Sequence, residues 1–198
     1  MKREKILVGM GLVVLGVIVH LLPELNNFLF YQVNHFHFRW LDTIMLPITY
    51  CGDGTVLAIV TLGLWKLRGG RKFLWLVLIL ISAGILVQII KYFFPSPRPG
   101  AVFSDIHILG PVLRARSFPS GHTASTFALV SFLSGEFPQL GTLIWVMAIL
   151  IGFSRIYVGA HFPADVLFGA GLGYLVAKIY IMVWENRIAG QRFGAIGR

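Results

Sequence analysis

Between residues 154 and 165 an arginine, a histidine and an aspartate stand together, in Ser154-Arg155-Ile156-Tyr157-Val158-Gly159-Ala160-His161-Phe162-Pro163-Ala164-Asp165, with an apolar run on either side. Ionisable groups are expensive beside hydrocarbon, so such a cluster marks a functional site. Two earlier stretches share its character: Lys91 with Arg98-Pro99, and Phe118-Pro119-Ser120-Gly121-His122. Lys91, Arg98 and Arg155 can together neutralise a dianion, the arginines with a bidentate fork. His161 stands just before a helix that Pro163 opens, and Asp165 falls in its first turn. At that spacing the carboxylate can take one imidazole N–H and leave the other nitrogen free as a nucleophile. His122, on a different helix, can protonate a leaving oxygen. Pro119 reads as the first turn of that helix, which puts Ser120, Gly121 and His122 where unpaired backbone N–H groups favour an anion. The chemistry these residue types imply is hydrolysis of a phosphate ester.

The elements that must position them are membrane helices. Of 198 residues, 57% are hydrophobic and only 13% charged, and the mean hydropathy is +0.79. A soluble domain carries about 25% charged residues, so the composition is that of a membrane protein. The length suits one compact bundle, a single domain over residues 1–198. The net charge of +9 does not imply a nucleic-acid partner, because the cations sit at segment ends, where the positive-inside rule or a bound anion accounts for them. Cys51 is the only cysteine, which excludes an internal disulfide, and its apolar surroundings predict a buried, inert thiol.

Lys2, Arg3 and Lys5 precede an apolar run from Ile6 to Leu22, followed by Pro23-Glu24 rather than a small-x-small cleavage site. This predicts a retained first span. Residues 23–44 mix Asn26, Asn27, Asn34, His35, His37, Arg39 and Asp42 with aromatics, the pattern of a short helix at the membrane interface. His35 and His37 lack the neighbouring Cys, Asp or Glu that a metal site needs. A second span covers 45–65, interrupted by Gly52-Asp53-Gly54. Asp53 reads as a charge near its outer end, solvated or paired, the alternative being that it supports the cations of the site. A basic turn, Lys66 to Lys72 with Gly69-Gly70, leads to a third span over 73–94 and a proline-rich loop over 95–118. The fourth span runs from Pro119 to about Ser134, and the fifth and sixth cover 140–156 and 164–185; each approaches the roughly 20 residues needed to cross a bilayer. The reading is all-α, a six-transmembrane-helix bundle with a short interfacial helix after the first span.

Lys2, Arg3, Lys5, Lys66, Arg68, Arg71, Lys72, Arg187, Arg192 and Arg198 fall on one side of this layout, against Arg39, Arg98, Arg114 and Arg116 on the other. The richer side is cytoplasmic by the positive-inside rule, and both termini with it. The third span then ends outside at Lys91, the fourth starts outside, the fifth ends outside at Arg155, and the sixth starts outside at Pro163. All three chemical stretches reach one outer surface.

Lys91-x6-Arg98-Pro99, Pro119-Ser120-Gly121-His122 and Ser154-Arg155-x5-His161-x3-Asp165 together resemble the three-part signature of the type 2 phosphatidic acid phosphatase superfamily, over about residues 91–165. That resemblance implies an integral-membrane lipid phosphate phosphatase, with a phosphohistidine on His161, Asp165 orienting it and His122 as general acid. It implies that Lys91, Arg98, Ser120, Gly121 and Arg155 hold the phosphate, and that neither metal nor other cofactor takes part. Candidate substrates in the family are phosphatidylglycerophosphate, phosphatidate, undecaprenyl diphosphate and lipid A phosphate, met at the outer face of a bacterial cytoplasmic membrane. Arg114 and Arg116 lie outside the signature and are candidates for the lipid headgroup. A lipid phosphotransferase of the same family is the nearest alternative. An anion transporter is a more distant one, since transporters gather ionisable groups near the midplane and these gather at one boundary.

Overall fold

The computed structural model describes residues 2–68 and 70–196; Gly69 and Arg198, which enter the readings above, lie outside them. The regular elements among these residues are helical: α1 (Lys2–Leu21), α2 (Pro23–Asn34), α3 (Arg39–Cys51), α4 (Gly54–Arg68), α5 (Gly70–Phe93), a single turn α6 (Pro99–Val102), α7 (Gly121–Glu136), α8 (Gly141–Tyr157) and α9 (Pro163–Ile196). A 3₁₀ turn at Pro138–Leu140 joins α7 to α8.

Three segments are long and apolar enough to cross a bilayer alone: Gly70–Phe93, Pro138–Tyr157 and Pro163–Arg187. Two bent pairs qualify together, Ile6–Leu21 with Pro23–Asn34 at 102° and Arg39–Cys51 with Gly54–Lys66 at 57°, which raises the number to five at most. The expected six differs from this because α7 has only 16 residues. It is enclosed by α5, α8 and α9, and a helix sheathed in protein needs no apolar run of full bilayer length. Leu7, Val14, Leu78, Ile85, Leu143 and Ile149 are among the many exposed apolar side chains on the outer helices, a surface suited to lipid.

The short helix expected after the first span is α2. Its Phe30 packs on Ile156, Phe162 and Val166, so it crosses the end of the bundle where α8 stops and α9 starts. The expected second span is broken. Gly52-Asp53-Gly54 ends one helix and starts the next, the Asp53 side chain accepting the N–H of Thr55 at 2.8 Å. An aspartate that caps a new helix start ends the old one. Cys51, expected buried, is exposed, because it sits at the last position of α3 where the chain turns.

The tightest packing is between α7 and α9. A Cβ at Gly173 would lie 1.9 Å from Ala124 O, and one at Gly169 would lie 2.6 Å from Ser120 O. Small residues four apart let two helix backbones touch, and here they bring the start of α9 against the start of α7. Gly173→Ala should therefore destabilise the protein by about 1–3 kcal/mol or more, which for a chain of this size lowers the melting temperature by roughly 2–12 °C. Gly84→Ala, where a Cβ meets nothing within 4 Å among the described residues, is the control that should change little. Equal melting of the two variants in detergent would refute this account of the α7–α9 contact.

Candidate active site

The residues singled out by their chemistry converge at one end of the bundle, where α5 and α8 finish and α7 and α9 begin. Between α8 and α9 the chain turns at Gly159, whose φ of +73° and close approach to His107 O leave no room for a Cβ. The N–H groups of Ala160 and His161 both donate to Arg155 O at 3.1 Å, which closes the end of α8 and drives His161 inward. His161 is 2% exposed and Asp165 1%.

Asp165 Oδ2 accepts three hydrogen bonds: from His161 Nδ1 at 3.1 Å, from the Phe162 N–H at 3.0 Å, and from Ser117 Oγ. A carboxylate cannot donate, so Nδ1 carries the proton and Nε2 has the lone pair. That Nε2 lies 3.4 Å from an Arg98 guanidinium nitrogen. Burial first, and then the charges of Arg98, Arg155 and Lys91, hold the His161 imidazole well below its ordinary pKa. The ring is thus neutral, with its free lone pair facing a guanidinium, a group whose fork suits an oxyanion.

Arg98 is fixed by the loop around it. Its Nε donates to Ala115 O and its Nη1 to Ala160 O, both at 3.0 Å. Burial lowers its pKa, yet a guanidinium remains charged in a protein. Arg155 donates from Nη1 to Thr49 Oγ1 at 2.7 Å, while its buried Nε has no partner among the described residues. An unpaired buried donor costs about 1–3 kcal/mol, and a phosphate oxygen would satisfy it. Lys91 is held differently: Nζ donates to the carbonyls of Arg116 and Ser117. It stabilises the strand of loop that carries Ser117 to Asp165, and its charge still reaches His161 and His122.

Pro119 does not open α7. The helix starts at Gly121, with Ser120 as its N-cap. Ser120 is fully buried; its Oγ accepts the Thr123 N–H at 3.4 Å and Thr123 Oγ1 at 2.9 Å, and its own N–H donates to Asp165 O at 3.0 Å. A serine that caps its helix with its side chain is favoured at that place over the helix interior. Gly121 and His122 follow as the first helical residues, half-buried, where backbone N–H groups point out of the helix. His122 joins Thr49, Tyr50, Asp53, Arg155, Gly159 and Ala160 in lining a cavity of about 170 Å³.

Arg114 and Arg116 are exposed. Their backbones are the anchored part: Arg114 O accepts the Arg98 N–H at 3.1 Å, and Arg116, at φ +57°, turns its carbonyl to Lys91. His35 packs on Tyr31, with ring centroids 4.9 Å apart, and His37 stacks on His107 at 4.1 Å. No three His, Cys, Asp or Glu side chains gather as a metal site among the described residues.

Several supporting residues carry no mark in the sequence. Ser117 and Thr49 hold Asp165 and Arg155 from elements far along the chain. Asn26 Oδ1 accepts the Ala164 N–H at 3.1 Å, and Asn34 binds His107 and Tyr157 through their backbones. The one available signal was spacing: Asn26, Phe30 and Asn34 fall four apart on the buried face of α2.

A profile of the PAP2 superfamily matches residues 72–189, which contain Lys91, Arg98, Ser117, Ser120, Gly121, His122, Arg155, His161 and Asp165 but not Asn26, Asn34, Thr49, Tyr50 or Asp53. Undecaprenyl-diphosphatase BcrC of Bacillus subtilis is 33% identical over 147 residues, 73% of either chain. Phosphatidylglycerophosphatase B of the same organism is 29% identical over 154 residues, covering 69% of this chain and 72% of its own. Among solved structures, Aquifex aeolicus LpxE superposes with a TM-score of 0.75 at 37% identity, over 80% of this chain and 95% of its own. With buried His161 and Asp165 backed by Arg98 and Arg155, and with the match running through all three stretches, this integral membrane chain belongs to the PAP2 superfamily.

Proposed function

We propose that the protein hydrolyses a lipid phosphate monoester or diphosphate through a phosphohistidine on His161. The observation that carries this reading is the paired geometry of that ring: Nδ1 held by Asp165 and Nε2 facing Arg98. The Nε2 lone pair attacks phosphorus while Arg98, Arg155 and Lys91 balance the charge on the equatorial oxygens. The bond to the leaving oxygen breaks (the lipid oxygen of a monoester, the bridging oxygen of a diphosphate), its electron pair stays on that oxygen, and His122 supplies the proton as needed. Water then attacks the phosphohistidine, gives its proton back to His122, and releases inorganic phosphate.

The test is phosphate release by the purified protein from a panel of phosphatidylglycerophosphate, phosphatidate, undecaprenyl diphosphate and lipid A phosphate, with no acceptor lipid added. Release identifies a phosphatase; turnover only when an acceptor is supplied would identify a phosphotransferase. Activity should persist in chelator, because side-chain cations supply the positive field, and vanadate should inhibit by adopting the five-coordinate geometry. Loss of turnover in EDTA that Mg²⁺ restores counts against the mechanism. On the same panel, replacing Arg114 and Arg116 with Gln should raise KM for multiply charged substrates with kcat little changed, if these exposed cations meet the headgroup.

The site opens on the outer face of a bacterial cytoplasmic membrane, with both termini inside. The surplus of Lys and Arg at the opposite end supports this orientation. In a Cys51→Ser background, needed because Cys51 is exposed, a cysteine at position 111 should react with an impermeant thiol reagent in intact cells and one at position 71 should not. The reverse pattern overturns the topology.

A further inference from the structure

Asp53 stands in the break between α3 and α4, outside the three signature stretches and outside the segment matched by the family profile. Its two carboxylate oxygens do different things. Oδ1 accepts the Thr55 N–H at 2.8 Å and so caps α4. Oδ2 lies 3.8 Å from His122 Nε2, an ion-pair distance that a small rotation of either side chain would turn into a hydrogen bond, and both residues line the same cavity. Contacts of catalytic groups are often this loose before substrate arrives.

The surroundings of His122 explain why a carboxylate there matters. Burial weighs most against its charged form, and Arg155 from α8, Arg98 from the loop after α5 and Lys91 from the end of α5 add to that; His161, from the α8–α9 turn, stands in the same electrostatic group. Every one of these is cationic or neutral. Asp165 is committed to His161, Ser117 and the Phe162 N–H. A group that must deliver a proton in a field of three cations is pressed to lose it early, and only a nearby anion opposes that. Asp53 is the carboxylate in that position, and its side chain is 44% exposed, so it is also in contact with solvent protons.

We propose that Asp53 is the positioning residue for His122, orienting the imidazole through Nε2 and favouring its protonated form until the leaving oxygen takes the proton. The inference rests on the reading of His122 as the acid. With Nε2 turned to Asp53, the proton departs from Nδ1 as the P–O bond breaks and its electron pair passes to the lipid oxygen. The ring becomes neutral and recovers a proton from the water that attacks the phosphohistidine. Asp53 thus does for the acid what Asp165 does for the nucleophile, from a turn that the signature does not include.

Asp53→Asn separates the charge from the cap, since Asn serves a helix N-terminus as well as Asp. The first measurement needs no turnover. In full-length protein carrying isotope-labelled histidine, with the His122 signal assigned by its loss in His122→Gln, the imidazole pKa of His122 should fall by about half a unit to one unit in Asp53→Asn. The second is kinetic: kcat for a lipid monophosphate should fall about tenfold with KM little changed, the alkaline limb of the kcat profile should move to lower pH, and the substitution should add nothing in a His122→Ala background. An unchanged His122 titration overturns the proposal, as does an equal kinetic loss with and without His122. If the wild-type protein releases no phosphate at all, the phosphatase reading fails, and the titration alone then decides whether Asp53 governs the protonation of His122.

Discussion

His161→Ala should reduce phosphate release from every lipid phosphate to the uncatalysed background, and no acid-labile phosphoenzyme should be trapped from it. Asp165, the nearest alternative, is 1% exposed and holds three donors on one oxygen. Asp165→Asn should leave a measurable remnant, because it removes the charge that fixes the tautomer but leaves the nucleophile in place. The pH dependence adds a second check. A nucleophile must be unprotonated, and burial with three neighbouring cations holds His161 well below the ordinary imidazole value. The acid limb of kcat/KM, which reports the free enzyme, should therefore lie below about pH 6.5, and activity should survive mild acid. An acid limb at the ordinary histidine value would mean that the site is wetter than the buried His161 implies. A phosphoenzyme that survives His161→Ala would move the nucleophile elsewhere.

The convergence of the site was legible in the sequence because charge is rare in a chain this apolar. Lys91, Arg98, His122, Arg155, His161 and Asp165 stood out against hydrocarbon-like surroundings, and alternation of the spans placed them on one face. Their neighbours were not legible for the opposite reason. Ser117, Thr49, Asn26 and Asn34 are ordinary polar residues whose importance comes from the atom they meet, and no spacing along the chain encodes a Thr49 hydroxyl 2.7 Å from Arg155.

The helix ends show the same division. The bounds of α5 and α8 lie within a few residues of those that hydropathy sets, whereas α1 begins at Lys2, ahead of the apolar run, and α9 continues to Ile196, well past the expected end at 185. The start of α7 follows from a local contest between Pro119 and Ser120. Both suit a helix start, and the serine wins because its hydroxyl caps Thr123 while its N–H reaches across to Asp165 O. The break at Gly52-Asp53-Gly54 was visible as an interruption but not as a 57° bend. The bend depends on packing: a Cβ at Gly52 would lie 2.6 Å from an Ile151 methyl and 3.2 Å from Thr126 Oγ1, so the missing side chain lets the turn press against α8 and α7. That bend is what carries Asp53 to His122.

The second large effect belongs to His122, and it should depend on what leaves. A lipid monophosphate expels an alkoxide, a poor leaving group that requires its proton in the transition state. A lipid diphosphate expels a phosphate monoester, which carries the charge on its own oxygens. General acid catalysis is typically worth about 10²–10⁴-fold, and most of that should appear only with the alkoxide. His122→Ala should therefore lower kcat/KM, which reports phosphoryl transfer to His161, by about 10²–10⁴-fold for a lipid monophosphate and by far less for a lipid diphosphate. The variant should still form the phosphohistidine from the diphosphate, since Arg98 and the His161–Asp165 pair are untouched. Its breakdown should then become the slower half, because the attacking water has lost its base, and phosphoenzyme should accumulate. Equal losses on both substrates, measured in one detergent at one pH, would show instead that His122 serves to hold the phosphate, and the leaving oxygen would need another source for its proton.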